Sequence, residues 1–95
     1  MVNYAEKEYH AAILVRNLRS VKRAMSLTNS DIARLTGIEI HGVSRIFSGY
    51  TPLGLWNLHR IVAALNKLYT GPREKLLIDD FLNEENMDIT QKKER

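Results

Sequence analysis

Arg16, Arg19 and Arg23 recur at i, i+3 and i+7, with Lys22 beside them. On a helix that spacing gathers the guanidinium groups into one stripe. Such a stripe can neutralise the phosphates of a polyanion, or it can stand in water as a solvated face. The other candidate groups do not assemble into a reaction centre. His10, His41 and His59 fall on three different predicted helices, and none has a neighbour at i+3 or i+4 that makes a recognised metal site. Asp79 and Asp80 are adjacent, so on a helix they point apart. No phosphate-cradling glycine loop and no nucleophile elbow is present. Cysteine is absent, which removes disulfides, thiolate zinc sites and cysteine nucleophiles together. The chemistry on offer is recognition of anions. No enzyme activity, metal or cofactor is expected.

The charge distribution points the same way. The chain has 95 residues and a net charge of +3, but residues 1–70 carry a net +5 and residues 71–95 a net −2. The first part suits a polyanion and the second would be repelled by one. At this length one domain is expected, and with 44% hydrophobic residues most elements must contribute to its core. No apolar run approaches the ~20 residues of a membrane span. The opening MVNYAEKEYH lacks the layout of a signal peptide. A cytoplasmic protein with no membrane partner is expected.

Helical periodicity dominates. A first helix is predicted from Asn3, with Glu6 at the capping-box spacing. Leu14, Leu18, Val21 and Met25 form its apolar stripe. Thr28, with Asp31 three residues on, opens a second helix that ends at Gly37, the usual residue for a left-handed C-terminal position. A helix of two turns is unstable alone and must pack on a neighbour. A third runs from about Ile40 to Phe47 and stops at Ser48-Gly49. A fourth carries Leu55, Leu58, Ile61, Val62, Leu65 and Leu68 on one broad face. Pro72, after Thr70-Gly71, is placed to start a fifth over about 71–83, with Leu76, Leu77, Ile78, Phe81 and Leu82. Residues 84–95 are polar and are expected to form a disordered tail. The expected fold is all-α, a compact five-helix domain over residues 1–83.

The two short helices read as a pair. Ala33 allows close crossing, Gly37 makes the turn, and Val43 and Ile46 pack back with Ile32 and Ile38. Here the stretch LTNSDIARLTGIEIHGVSRIFSG resembles the helix-turn-helix of the Cro and phage-repressor type, also called XRE-like. With Asn29 as the first motif position, Ala33, Gly37, Val43 and Ile46 fall at the family's spacing. LWNLHRIVAALN is similar to the family's fourth helix, and the likeness covers about residues 14–66.

The resemblance implies a lambda-repressor-like domain whose third helix enters the major groove of double-stranded DNA. It assigns base contacts to Ile40, His41, Ser44 and Arg45, with the Arg45 fork suited to guanine. Glu39 would accept from cytosine or stay in solvent. Asn29, at a helix N-terminus, would anchor a phosphate, together with Gly42, Arg19, Arg23, Tyr50 and Thr51. Gly42 has two readings: it is tolerated in an early turn, or its missing Cβ lets a phosphate come close. The chain departs from the family at three places. Position 47 is Phe where an acid often pairs with a base of the first helix. The GYTPLG loop lacks the usual Lys or Arg, which shifts the phosphate contacts to Arg16, Arg19, Lys22, Arg23 and Arg60. Glu39 stands where Ser or Thr usually caps the third helix.

The fifth helix has too many apolar residues for a narrow stripe. They belong either to the monomer core or to a two-fold dimer interface. The dimer is preferred, because small half-site readers usually act in pairs; Trp56, Tyr69, Leu77, Ile78 and Phe81 are its expected contacts, with the start of the first helix beside them. The function expected is a homodimeric transcriptional repressor of phage or mobile-element type, reading an inverted repeat. The alternatives are an antitoxin-type autoregulator or a protein-binding adaptor, either with a regulatory protein partner.

Overall fold

The computed structural model describes residues 4–50, 52–83, 85 and 87–90, with side chains from residue 11 onward. The Asn3 cap, and the side chains of the first helix up to residue 10, lie outside the described residues. The fold is all-α, with α1 (Tyr4–Ala24), α2 (Asn29–Thr36), α3 (Ile40–Ser48) and α4 (Leu55–Leu68). A single 3-10 turn follows at Ile78–Leu82, and no strand occurs among the described residues. No helix among them is long and apolar enough to cross a membrane.

Each short helix is bounded by local chemistry. At α2 the Thr28 hydroxyl accepts from the Asp31 N–H at 3.1 Å, and the Asp31 carboxylate accepts from the Thr28 N–H at 2.9 Å. That reciprocal box satisfies two donors that a helix start leaves orphaned. α2 ends at Gly37, whose φ of 77° is left-handed. The Arg60 guanidinium of α4 donates to the Thr36 carbonyl there, and a Cβ on Gly37 would stand 3.0 Å from its Nη2. Gly37 is therefore favoured by its conformation, and an added Cβ would also press the tip of the Arg60 side chain. At α3, Glu39 accepts from the Gly42 N–H at 3.2 Å and so caps the helix in place of Ser or Thr. Gly49, at φ 85°, ends it, and the Tyr50 N–H returns to the Arg45 carbonyl at 2.9 Å. α1 stops without glycine: Ser26 takes φ 57°, and the Leu27 N–H reaches the Lys22 carbonyl at 2.9 Å. This is a Schellman closure on a residue with a Cβ.

The core lies where the four helices meet. Leu18 and Val21 of α1, Ile32 of α2, Val43, Ile46 and Phe47 of α3, and Leu58, Ile61, Val62 and Leu65 of α4 are all buried. Ala33 and Ile38 pack against them, so the expected α2–α3 cluster of Ile32, Ala33, Ile38, Val43 and Ile46 is in place around the turn at Gly37. At the ends of α4, Leu55 and Leu68 lie exposed rather than on the buried face.

The fifth helix is absent. Residues 71–77 bend and run irregularly before the 3-10 turn. The cause is Asn66 on α4, whose Oδ1 accepts from the Leu76 N–H at 2.7 Å while its Nδ2 donates to the Leu76 carbonyl at 2.8 Å. The amide occupies both backbone groups that a helix would use. The Asp80 carboxylate then takes the Leu77 N–H at 2.9 Å and opens the short turn. Within the stretch expected as a tail, Met87 and Ile89 are buried in the core, and side chains of other elements hold nearby carbonyls. Asn17, wholly buried on α1, donates to the Phe81 carbonyl at 2.7 Å and the Asn83 carbonyl at 2.9 Å. The Tyr69 hydroxyl donates to the Ile89 carbonyl at 2.8 Å, and Arg73 to that of Asp88 at 2.9 Å. Residues 84, 86 and 91–95 lie outside the described residues.

Three carboxylates at these closures are held below the usual carboxylate range. Asp31 is lowered first by the Thr28 N–H, then by its hydroxyl and Arg34; Glu39 first by the His41 N–H, then by that of Gly42; Asp88 first by the Thr90 hydroxyl, then by its N–H. A lowered folded-state pKa adds stability that is complete above the unfolded value and is lost as pH falls through the folded one. The denaturation midpoint is thus expected to stay level from pH 7 to about 5 and to fall below about pH 4. The double variant Asp31→Asn, Glu39→Gln should start lower and fall less in a urea titration repeated across that range. An equal fall in both proteins would detach the caps from the acid response.

Candidate nucleic-acid interface

α3 is anchored by one side and open on the other. Val43, Ile46 and Phe47 turn into the core, while His41, Ser44 and Arg45 face solvent. Ile40 is half-buried at the start of the helix. The spacing i, i+3, i+4 of the outward residues places a ring, a hydroxyl and a guanidinium along one ridge. The His41 Nε2 stands 4.0 Å from the Glu39 carboxylate, and its side chain is 80% exposed. Gly42 is half-buried; a Cβ there would meet only Ile38 Cγ2, at 3.4 Å. Its N–H is donated to the Glu39 carboxylate at 3.2 Å.

α2 presents its first residue to this ridge. The Asn29 Nδ2 donates to the Ser44 Oγ at 3.4 Å, and the Asn29 Oδ1 accepts from the Lys22 ammonium at 2.5 Å. Lys22 also stands 4.5 Å from the centroid of the Phe47 ring. A cation over an aromatic face is attracted by the ring quadrupole. The first helix and position 47 are thus joined by a cation over a ring in place of an ion pair. Burial, then the neighbouring Arg23 and Arg19, hold the Lys22 pKa below its ordinary value. Its ammonium is engaged in contacts within the fold, with Asn29 and the Phe47 ring.

The basic residues sort into two groups. Arg19 and Arg23 are exposed on α1, on either side of Lys22 in sequence. Arg16 turns elsewhere: its guanidinium donates to the Asn83 carbonyl at 3.1 Å and the Glu85 carbonyl at 3.3 Å. Arg60 braces the α2–α3 turn. Neither Arg16 nor Arg60 therefore belongs with the phosphate candidates. Tyr50 is 86% exposed, and Thr51 lies outside the described residues.

The expected dimer contacts do not form a single patch. Phe81 is completely buried, and Ile78 packs against the core. Tyr69 also packs there, its hydroxyl engaged with Ile89 and the Arg73 N–H. These three serve the monomer: Ile78 and Phe81 are turned inward by the 3-10 turn, and Tyr69, at the end of α4, packs on the core. Trp56 and Leu77 remain exposed, at 74% and 40%. Sequence reasoning missed two structural asparagines, Asn17 and Asn66, and the bridging use of Lys22. A polar residue directly beside an apolar stripe, as Asn17 is beside Leu18, was the available signal.

Among the described residues no three His, Cys, Asp or Glu side chains are grouped to hold a metal ion. Comparison with protein-family models, with characterised proteins and with solved structures returned no match in any of the three.

Proposed function

We propose that the protein is a sequence-specific double-stranded DNA-binding regulator with a lambda-repressor-like helix-turn-helix, formed by α2 and α3. The observation that carries this reading is the outward ridge of His41, Ser44 and Arg45 on a helix whose other side is locked in the core. Such a helix can enter the major groove without losing its seat. Arg45 offers a planar fork to guanine O6 and N7, and Ser44 and His41 offer single hydrogen bonds. Arg19 and Arg23 supply phosphate neutralisation, and Asn29 lies at the positive end of the α2 dipole. The protein acts as a homodimeric repressor, with half-sites about one helical turn, ~34 Å, apart. Trp56, still exposed, is its leading dimer contact.

A second reading has one observation of its own. Tyr50, Leu55 and Trp56 are 86%, 70% and 74% exposed within seven residues of sequence. Large apolar side chains left in water suit a protein partner, as in an antitoxin-type autoregulator or an adaptor. Selection from a random duplex library by gel shift, at two salt concentrations, separates a DNA-binding regulator from an adaptor. Enrichment of a short inverted repeat, with affinity falling steeply as salt rises, is the expected result. Weak binding with no enriched sequence would overturn the regulator and favour the adaptor.

A further inference from the structure

Lys22, Asn29 and Ser44 form a chain of side chains that joins α1, α2 and α3. Its direction is set by elementary chemistry. An ammonium has only donors, so the Asn29 oxygen must face Lys22. The Asn29 NH2 is then directed at Ser44, where the hydroxyl oxygen accepts. With one lone pair so engaged, the Ser44 hydroxyl keeps its proton and its second lone pair for outside partners, in directions that Asn29 sets. Phe47, buried beneath the Lys22 ammonium, helps hold the origin of the chain in place.

We propose that Lys22 is a positioning residue for base recognition: through Asn29 it fixes the orientation of the Ser44 hydroxyl, so that Ser44 meets one base edge in a set geometry. In the major groove its proton can be donated to purine N7, guanine O6 or thymine O4, and its remaining lone pair can accept from the amino groups of cytosine or adenine. The inference rests on the proposed reading of α3 as the base-reading helix. It gives Lys22 a role that an ordinary phosphate contact does not have. A phosphate contact strengthens binding to every sequence alike, whereas this chain acts at one base pair.

The test compares selected binding sites for the wild-type chain and four variants. Ser44→Ala identifies the base pair that faces Ser44, as the position where preference drops by about 2- to 10-fold, the worth of one neutral hydrogen bond. Lys22→Met keeps the aliphatic stem over Phe47 and removes the donor. It should flatten preference at that same position, and Asn29→Ala should do so too without touching Phe47. Lys22→Arg, which still donates, should preserve it. A uniform loss of affinity in Lys22→Met, with a shallower salt dependence and unchanged base preference, would overturn the proposal and leave Lys22 a plain phosphate contact. A wild-type chain that enriches no sequence would defeat the DNA reading itself, and this inference with it. The free protein supplies an independent check by NMR. The side-chain amide signals of Asn29 should move in Lys22→Met and in Ser44→Ala but hold in Lys22→Arg; signals unmoved in the first two would overturn the chain of contacts whatever the DNA result.

Discussion

Replacing Phe81 with alanine is expected to lower the unfolding free energy by about 3–5 kcal/mol, the range for removing a fully buried aromatic side chain. Phe81 has no exposed surface and belongs to the central cluster, although it lies in a five-residue 3-10 turn. Its carbonyl is the acceptor for Asn17, so loosening the ring also loosens a buried polar contact. For a domain of this size about 4–8 °C is lost per kcal/mol, which places the melting temperature at least about 12 °C lower. The loss should be the same at low and high protein concentration, since the ring serves the monomer. A Phe81→Ala protein that melts like the wild type when dilute, and differs only when concentrated, would return this residue to a subunit interface.

Arg45→Ala should instead leave stability nearly unchanged and weaken binding to the selected DNA site. A bidentate arginine–guanine contact is worth about 1–3 kcal/mol of discrimination, or roughly 5- to 150-fold. The loss should be confined to one guanine position, because binding to non-cognate duplex depends on phosphate contacts. Arg16→Ala provides the contrast. Its guanidinium holds the Asn83 and Glu85 carbonyls, so its removal should lower the melting temperature and spare the affinity of the folded protein. If Arg16→Ala weakens binding as much as Arg45→Ala, the division of the basic residues described above is wrong.

That division marks where sequence reading stops. Arg16, Arg19 and Arg23 share one helical stripe and are equivalent by periodicity, yet only Arg16 has carbonyls from the far end of the chain within reach. The four helices were legible because their limits are set locally. Thr28 and Asp31 start α2, and Gly37 and Gly49 supply the left-handed turns. The outward ridge of α3 was legible for the same reason, since burial of Val43, Ile46 and Phe47 fixes what faces out. Residues 71–83 were not legible. Their apolar spacing fits a helix, but Asn66, ten residues away, and Asn17, more than sixty away, take the backbone groups concerned. Local propensity is overridden there by distant hydrogen bonds. The Lys22 contact was hidden in the same manner: its partners Asn29 and Phe47 lie on other helices, and only packing brings them together.

The attachment of Phe81, Asn83 and Glu85 to α1 also imposes an order on synthesis. Asn17 leaves the ribosome early, but its acceptor at Phe81 follows 64 residues later. Until then one side of α1 has no cover and a buried amide has no partner. Closing so long a loop is entropically costly and is repaid only when the last apolar residues arrive. A nascent chain that has reached Leu68 can hold α2, α3 and α4 as fluctuating helices without a finished core. Cover for α1 is therefore completed only when Phe81, Met87 and Ile89 have been made, so packing of this core finishes well after the four helices have been synthesised.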